Sequence, residues 1–212
     1  MNKQSVQADT KDSILNAAEC LFAKKGYSGT SLRALTGRAK VNLAAVNYHF
    51  GSKKTLLEAV IKRKITPLNY IRRIRVEEVR QLAMKEGSRP DAENILYAFI
   101  EPTLRFRENE PGAKDFVTFI GRSFADPDDT VRKVFVRFIR PMFQLLLEAL
   151  CEALPHLPEN TVFWRLQFSM GALFHTLHIC SDLNKDKLNI EELDADSLVN
   201  LIIPYVSAGM KA

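Results

Sequence analysis

Apolar positions along this chain recur at intervals of three and four, the period of an α-helix, and strand-like alternation is nearly absent. The first stripe, Ile14, Ala18, Leu21 and Phe22, predicts a helix from about Lys11 to Lys25. Asp12 then falls in its first turn and Lys24 and Lys25 in its last, the order that suits the helix dipole, and Gly26 is placed to end it. The turn GYSGT follows, with Thr30 or Ser31 able to cap a second helix, SLRALTGRA, whose Leu32, Leu35 and Ala39 point inward. After a tight corner at Lys40-Val41, Asn42 caps a third helix, which Gly51-Ser52 breaks, and Ser52 caps a long fourth beginning KKTLLEAVIKRK. Two helices joined across so short a corner have the spacing of a helix-turn-helix. Lys40 stands where such corners usually place glycine. A left-handed backbone at lysine costs about 1–2 kcal/mol, so either the turn differs or the fold absorbs that cost.

Beyond Lys64 the periodicity stays helical, although Pro67 is expected to kink or stop the fourth helix. Helical segments follow at 93–106, 113–125, 130–154 and 159–183, with a last helix from about Ala195 to Met210. The fold class expected is all-α, an N-terminal three-helix helix-turn-helix domain followed by a larger α-helical domain. The boundaries are a flexible N-terminal arm at 1–10, the first domain at 11–56 and the second at 57–212. Within 161–180, Val162, Phe163, Leu166, Met170, Leu173, Phe174 and Leu177 cover one helix face, and Trp164, Phe168, Gly171, Ala172, Ile179 and Cys180 cover much of the other. A helix apolar nearly all round has to be buried on both sides. In a domain this small one side can be its own core and the other a second subunit. The last helix repeats the pattern with Leu198, Leu201, Ile202, Tyr205 and Val206, beside small Ala208 and Gly209. A two-fold homodimer is predicted, with Trp164, Phe168, Gly171, Leu201 and Tyr205 at its interface.

The third helix is unusual in another way. Asn42 to Phe50 contains no Lys, Arg, Asp or Glu, yet its outward face would carry Leu43, Ala44, Asn47 and Tyr48. Charge is placed around it instead. Residues 1–65 hold 12 Lys and Arg against 4 Asp and Glu, and residues 66–212 hold 18 against 21. A basic first part therefore precedes a slightly acidic remainder, which suggests a polyanion partner for the first part alone. In a helix-turn-helix the second helix enters the DNA major groove. There an asparagine can bond adenine through two hydrogen bonds, and small apolar side chains can touch a thymine methyl group. Phosphates flank the groove, so the donors that hold them belong beside the helix. Ser31 and Arg33 at the second helix, Tyr48 and His49 at the end of the third, and Ser52 and Lys53 at the start of the fourth occupy those places.

The stretch TSLRALTGRAKVNLAAVNYHFGSKKTLL, with ILNAAECLFAKKGY upstream, resembles the DNA-binding signature of the tetracycline-repressor (TetR) family over about residues 11–60. The resemblance implies a cytoplasmic, dimeric, bacterial one-component regulator, usually a repressor, which binds an operator in double-stranded DNA and is released by a small ligand. Carried onto this chain, base contacts fall on Arg33, Leu43, Ala44 and Asn47. Phosphate contacts fall on Ser31, Tyr48, His49 and Lys53, with Asn42 at the head of the same helix counted among the DNA-facing residues. Lys40 departs from the family's common glycine, and the helical wheel sets His49 nearer the bundle than the groove. More loosely, VNLAAVNYHFGSKK, the residues around 163–171 and the ending PYVSAGMKA are similar to members that respond to fatty acids or their acyl thioesters. The second domain is then the effector-binding and dimerisation domain, with its pocket among its own helices. Phe116, Phe119, Arg122, Phe168 and His175 are the candidates for a small hydrophobic effector, with Arg122 placed to meet a carboxylate or phosphate.

Other classes find little support. No apolar run approaches the roughly 18 residues of a membrane span. The polar start, MNKQSVQADT, has no signal-peptide core, so the cytoplasm is expected. Cys20, Cys151 and Cys180 are scattered and odd in number, which suits neither a disulfide framework nor a zinc site, and no metal or cofactor is expected. Cys180 and His178 lie two apart, so on a helix they point different ways, and no catalytic motif occurs. No catalytic residues are assigned. The alternative to a regulator is a helical protein–protein adaptor without effector control, which leaves the basic first part unexplained.

Overall fold

A computed structural model describes residues 3–124, 126–179 and 193–212. Those residues are helical throughout, without a strand. The helices are α1 (Lys3–Lys25), α2 (Leu32–Ala39), α3 (Leu43–Phe50), α4 (Lys53–Lys85), α5 (Ala92–Asn109), α6 (Ala113–Ser123), α7 (Thr130–Ala153), α8 (Glu159–Ile179) and α9 (Ala195–Lys211). Residues 180–183 of the predicted eighth helix, Cys180 among them, lie outside the described residues. No described helix is long and apolar enough to cross a membrane. The chain divides into two compact units. One comprises Met1–Ile65 with Asp115–Phe138, the other Thr66–Lys114 with Ile139–Ala212.

In the first unit the stripe on α1 is buried as its spacing predicts, with Ile14, Ala18 and Phe22 wholly enclosed and Leu21 nearly so. Leu35 and Ala39 of α2, Val46 and Phe50 of α3, and Leu56, Leu57, Val60 and Ile61 of α4 complete this core. The helix begins at Lys3, eight residues before Lys11, so Asp12 lies within α1 and not in its first turn. No proline or glycine precedes Lys11 to stop the helix earlier.

Each helix end has an identifiable local cause. Gly26 adopts φ 72°, and its N–H donates to the Phe22 carbonyl at 2.9 Å. Of the two candidate caps, Ser31 takes the role, accepting from the Ala34 N–H at 3.1 Å. Thr30 is buried, and its hydroxyl donates to the carbonyls of Gly26 and Leu21, which ties the turn back onto α1. Asn42 caps α3, accepting from the Ala45 N–H at 2.8 Å. Gly51 ends α3 with φ 69°, and Ser52 accepts from the Thr55 N–H at 3.0 Å at the head of α4.

The corner between α2 and α3 is the strained one. Lys40 sits in the left-handed region at φ 55°, ψ 42°, and among the described residues it alone of the non-glycines has positive φ. Its own N–H and that of Val41 both return to the Thr36 carbonyl. Nearby, the Ser13 hydroxyl holds the Ala39 carbonyl at 2.9 Å. These bonds satisfy the open end of α2 and set α3 against α1, and the lysine carries the conformational cost. Lys40→Gly is expected to stabilise the chain by about 1 kcal/mol, read as a higher urea midpoint at unchanged slope. A midpoint that stays level or falls would mean that the lysine side chain recovers the cost.

Residues 115–138 belong to the same unit. The Phe119 ring stacks on Phe22 with centroids 5.8 Å apart and planes 17° apart, and Phe116 and Ile120 are buried beside it in sequence. Arg137 pairs with Glu58 at 3.0 Å in this unit.

The stop expected at Pro67 does not occur, since α4 continues through it for 33 residues in all. Pro67 is exposed, and the buried stripe continues across it through Ile65, Leu68, Arg72 and Val76. Tertiary burial on that stripe outweighs the lost backbone hydrogen bond. In the second unit α5 is the most enclosed helix, burying Ile95, Leu96, Phe99, Ile100 and Leu104 together with Glu101, Thr103 and Arg107. α9 packs on α5 and on α8.

Candidate nucleic-acid interface

The caps described above set which side of α3 faces outward. With Val46 and Phe50 anchored in the core, a rotation of about 100° per residue turns Leu43, Ala44, Asn47 and Tyr48 to solvent. All four are exposed, Leu43 by 49% and Tyr48 by 75%, and Asn42 is exposed with them. Ser31 and Arg33 are also exposed at the start of α2. His49 is half-buried, its ring edge-on to Tyr48 at 5.2 Å and tilted against Phe50 at 6.3 Å. It is thus partly withdrawn toward the bundle, as the helical wheel indicates.

Lys53 opens α4, where the dipole of the helix adds a positive field. Its ammonium stands over the Tyr27 ring, 4.3 Å from the centroid. Burial lowers its pKa, and the Asp128 carboxylate partly offsets that shift. Burial followed by the charge of Asp128 raises the pKa of Tyr27. Asp128 is itself fastened. It accepts from the Thr130 N–H at 3.0 Å and from the Ser28 hydroxyl at 2.8 Å, and its pKa is lowered first by Thr130, then by Ser28, with Lys53 contributing least. A depressed carboxylate contributes stability above its unfolded pKa and loses it as pH falls, so this anchor is complete at neutral pH. The environment of Lys53 is therefore an aromatic shelf with a carboxylate behind it. Sequence reasoning missed Tyr27, Ser28 and Asp128 as its neighbours. The one cue, the run Asp126-Pro127-Asp128-Asp129 ahead of a helix, signals capping without revealing what the carboxylate faces.

The residues expected to hold an effector fall into different units. Phe116 and Phe119 are core residues of the first unit. Arg122, in the same unit, is exposed, and its guanidinium reaches the Ala23 carbonyl at 3.4 Å. Phe168 and His175 are exposed on α8 of the second unit.

The residues expected at a dimer interface all lie in that second unit, and all are exposed. Trp164 (53%), Phe168 (69%) and Gly171 follow one another at helical spacing on α8, and Leu201 (63%) and Tyr205 (72%) do so on α9. The opposite faces are buried, through Val162, Leu166, Met170, Leu173 and Leu177 on α8 and Leu198, Ile202, Val206 and Met210 on α9. Cys20 and Cys151 are half-buried free thiols, and burial, followed by Glu159 and Glu152, raises the Cys151 pKa, which disfavours the reactive thiolate.

Comparison with known proteins gives two family matches. The family of tetracyclin repressor-like C-terminal domains matches residues 97–209, and the family of bacterial regulatory proteins of the tetR type matches residues 14–60. The probable HTH-type transcriptional regulator YttP of Bacillus subtilis (strain 168) is 25% identical over 146 residues, 68% of this chain and 65% of that protein. The biofilm operon icaADBC HTH-type negative transcriptional regulator IcaR of Staphylococcus aureus (strain Newman) is 39% identical over 61 residues, 29% of this chain and 33% of that protein. The chain thus spans less than two thirds of the length of either relative. The transcriptional regulator FadR from Bacillus subtilis, solved in complex with stearoyl-CoA, shares the fold with a TM-score of 0.66 at 14% identity, covering 93% of this chain and 97% of that one.

Proposed function

The chain belongs to the TetR family of bacterial regulatory proteins, and from that premise we propose that it is a homodimeric repressor of transcription. It binds a palindromic operator in double-stranded DNA through α2, α3 and the start of α4, and a small hydrophobic effector releases it. Residues 11–56 serve as the DNA-binding domain and residues 57–212 as the effector-binding and dimerisation domain, in the cytoplasm.

The observation that carries this reading is the exposed, uncharged face of α3 bordered by donors, of which Ser31, Arg33 and Tyr48 are exposed and Lys53 is half-buried. Leu43, Ala44 and Asn47 supply the apolar contacts and the amide that read base edges. Ser31, Arg33, Tyr48 and Lys53 surround that face, with His49 set further back, and the N-terminus of α4 adds its dipole. An adaptor protein leaves the basic first part of the chain unexplained. The exposed apolar stripes of α8 and α9 support the homodimer. The word "negative" in IcaR's name supports repression, and the stearoyl-CoA bound to FadR supports a fatty acid or acyl thioester as effector.

Competition between duplex DNA and salt tests the reading. Binding to an operator selected from random duplexes is expected to weaken steeply as salt rises, as counterions are released. Lys53→Ala is expected to lower the slope of log affinity against log salt by about one unit. A shallow slope in the unmodified protein would sink the DNA-binding reading, whereas an unchanged slope in the variant would remove only Lys53 from the phosphate contacts.

A further inference from the structure

Arg72 of α4 is buried, with 4% of its surface exposed, and its guanidinium lies over the Phe99 ring at 4.3 Å from the centroid. Nη1 donates to Asn69 Oδ1 at 2.9 Å and Nη2 to Thr103 Oγ1 at 2.7 Å. Thr103 in turn donates its hydroxyl proton to the Phe99 carbonyl at 2.8 Å, so its hydroxyl is occupied both ways. A guanidinium has five N–H donors. These two bonds leave three, and Nε is buried without a partner among the described residues. The carboxylate that α5 buries, Glu101, is committed to Arg75 and Arg105. Arg72 is thus a full positive charge enclosed by an amide, a hydroxyl and an aromatic face. Burial alone pushes its pKa down to about 9, so the charge is still present at pH 7. Enclosing an ion without a counter-ion is costly, and a fold that keeps one has to be stable enough to carry it. Asn69 also lines a groove of about 390 Å³ between α4 and α7, with Tyr70, Met142 and Leu145 among its other walls and the opposite charges of Arg73 and Glu77 on the same lining. That volume lies in the range that holds a small ligand.

We propose that Arg72 binds the effector's anionic head, that this head is a carboxylate, and that the apolar remainder lies in the groove walled by Asn69. The two oxygens of a carboxylate fit a guanidinium edge through paired, charge-assisted hydrogen bonds, here to Nη1 and Nη2. Its single negative charge cancels the single positive charge, whereas a doubly charged phosphate would leave a surplus buried. Entry from the groove turns Asn69 aside and gives the carboxylate its place beside Nη1. This assignment rests on the reading of the chain as an effector-controlled regulator. It narrows that reading to a free acid, because a thioester head has no carboxylate. It also moves the anion-binding role from Arg122, which is exposed, to a residue that sequence patterning does not single out.

The test is titration calorimetry on the full chain with straight-chain acids from octanoate to hexadecanoate, each beside its primary amide, and with hexadecanoyl-CoA. At least one acid is expected to bind, and to bind about tenfold tighter than its amide. Arg72→Met is expected to remove that advantage, so that acid and amide bind alike, and Arg72→Lys to keep part of it. Should the Met variant fail to fold, the unmodified protein still decides the matter. Carbon-13 NMR of the bound, carboxyl-labelled acid is expected to show it ionised below the pH at which the free acid protonates. Acids and amides that bind the unmodified protein alike, binding of the thioester alone, absence of binding by every acid, or a Met variant that keeps the preference for acid would each overturn the assignment. DNA binding is measured separately without any acid. Its loss alone counts against the repressor reading, and intact DNA binding with no acid bound counts against Arg72.

Discussion

Phe168→Asp is expected to convert the dimer into a monomer and to lower affinity for a palindromic operator by about a hundredfold or more, the order of gain that linking two binding modules provides. The size of the effect follows from where the side chain sits. Phe168 is 69% exposed in the protomer and lies in the middle of the stripe that Trp164, Gly171, Leu201 and Tyr205 extend. An exposed position on α8 tolerates aspartate without disturbing the core beneath, which is made by Leu166, Met170 and Leu173. In a two-fold interface the residue meets its symmetry-related surroundings twice, so each dimer would bury two uncompensated carboxylates. Sedimentation should show half the mass with an unchanged helical circular dichroism spectrum. Footprinting of the unmodified protein should show an imperfect palindrome whose half-sites lie about 10 bp apart or somewhat more. A variant that remains dimeric, or a single asymmetric footprint, would remove the homodimer from the proposal.

Asn47→Ala should weaken specific binding by about 1–3 kcal/mol while leaving binding to random duplex unchanged. The substitution is a clean probe of recognition. The side chain is exposed, and what position 47 contributes to the fold, the carbonyl that accepts from the Gly51 N–H at 2.9 Å, is main chain and survives it. Alanine also favours a helix, so α3 should not loosen. Selecting operators with the variant should relax preference at the base pair that asparagine reads. Equal losses on specific and random DNA would reassign Asn47 to backbone contacts.

The two predictions rest on features that differ in how far the sequence reveals them. The outward face of α3 is legible because one helix obeys one period, and burial of Val46 and Phe50 settles the orientation of everything between them. The caps at Ser31, Asn42 and Ser52 are legible for a similar reason, since each bonds an N–H three residues on. The stripes of α8 and α9 show as excess apolar surface, although the pattern does not say which side meets the core. The surroundings of the effector candidates are less legible. Phe116 and Phe119 are core of the first unit, and the Phe119 ring stacks on Phe22 from a distant part of the chain.

By itself the sequence determined the helices, their caps, the exposed uncharged face of α3 and the doubly apolar character of α8 and α9. All of these depend on side chains within a turn or two of one another. Tertiary structure decided that Lys40 bears the left-handed corner, that α4 passes through Pro67, that residues 115–138 join the amino-terminal helices, and that Arg72 is buried with neutral partners. Each of these turns on competition between a local cost and burial against a helix distant in the chain. No spacing rule ranks those two, because the partner helix enters the balance only once the chain has folded.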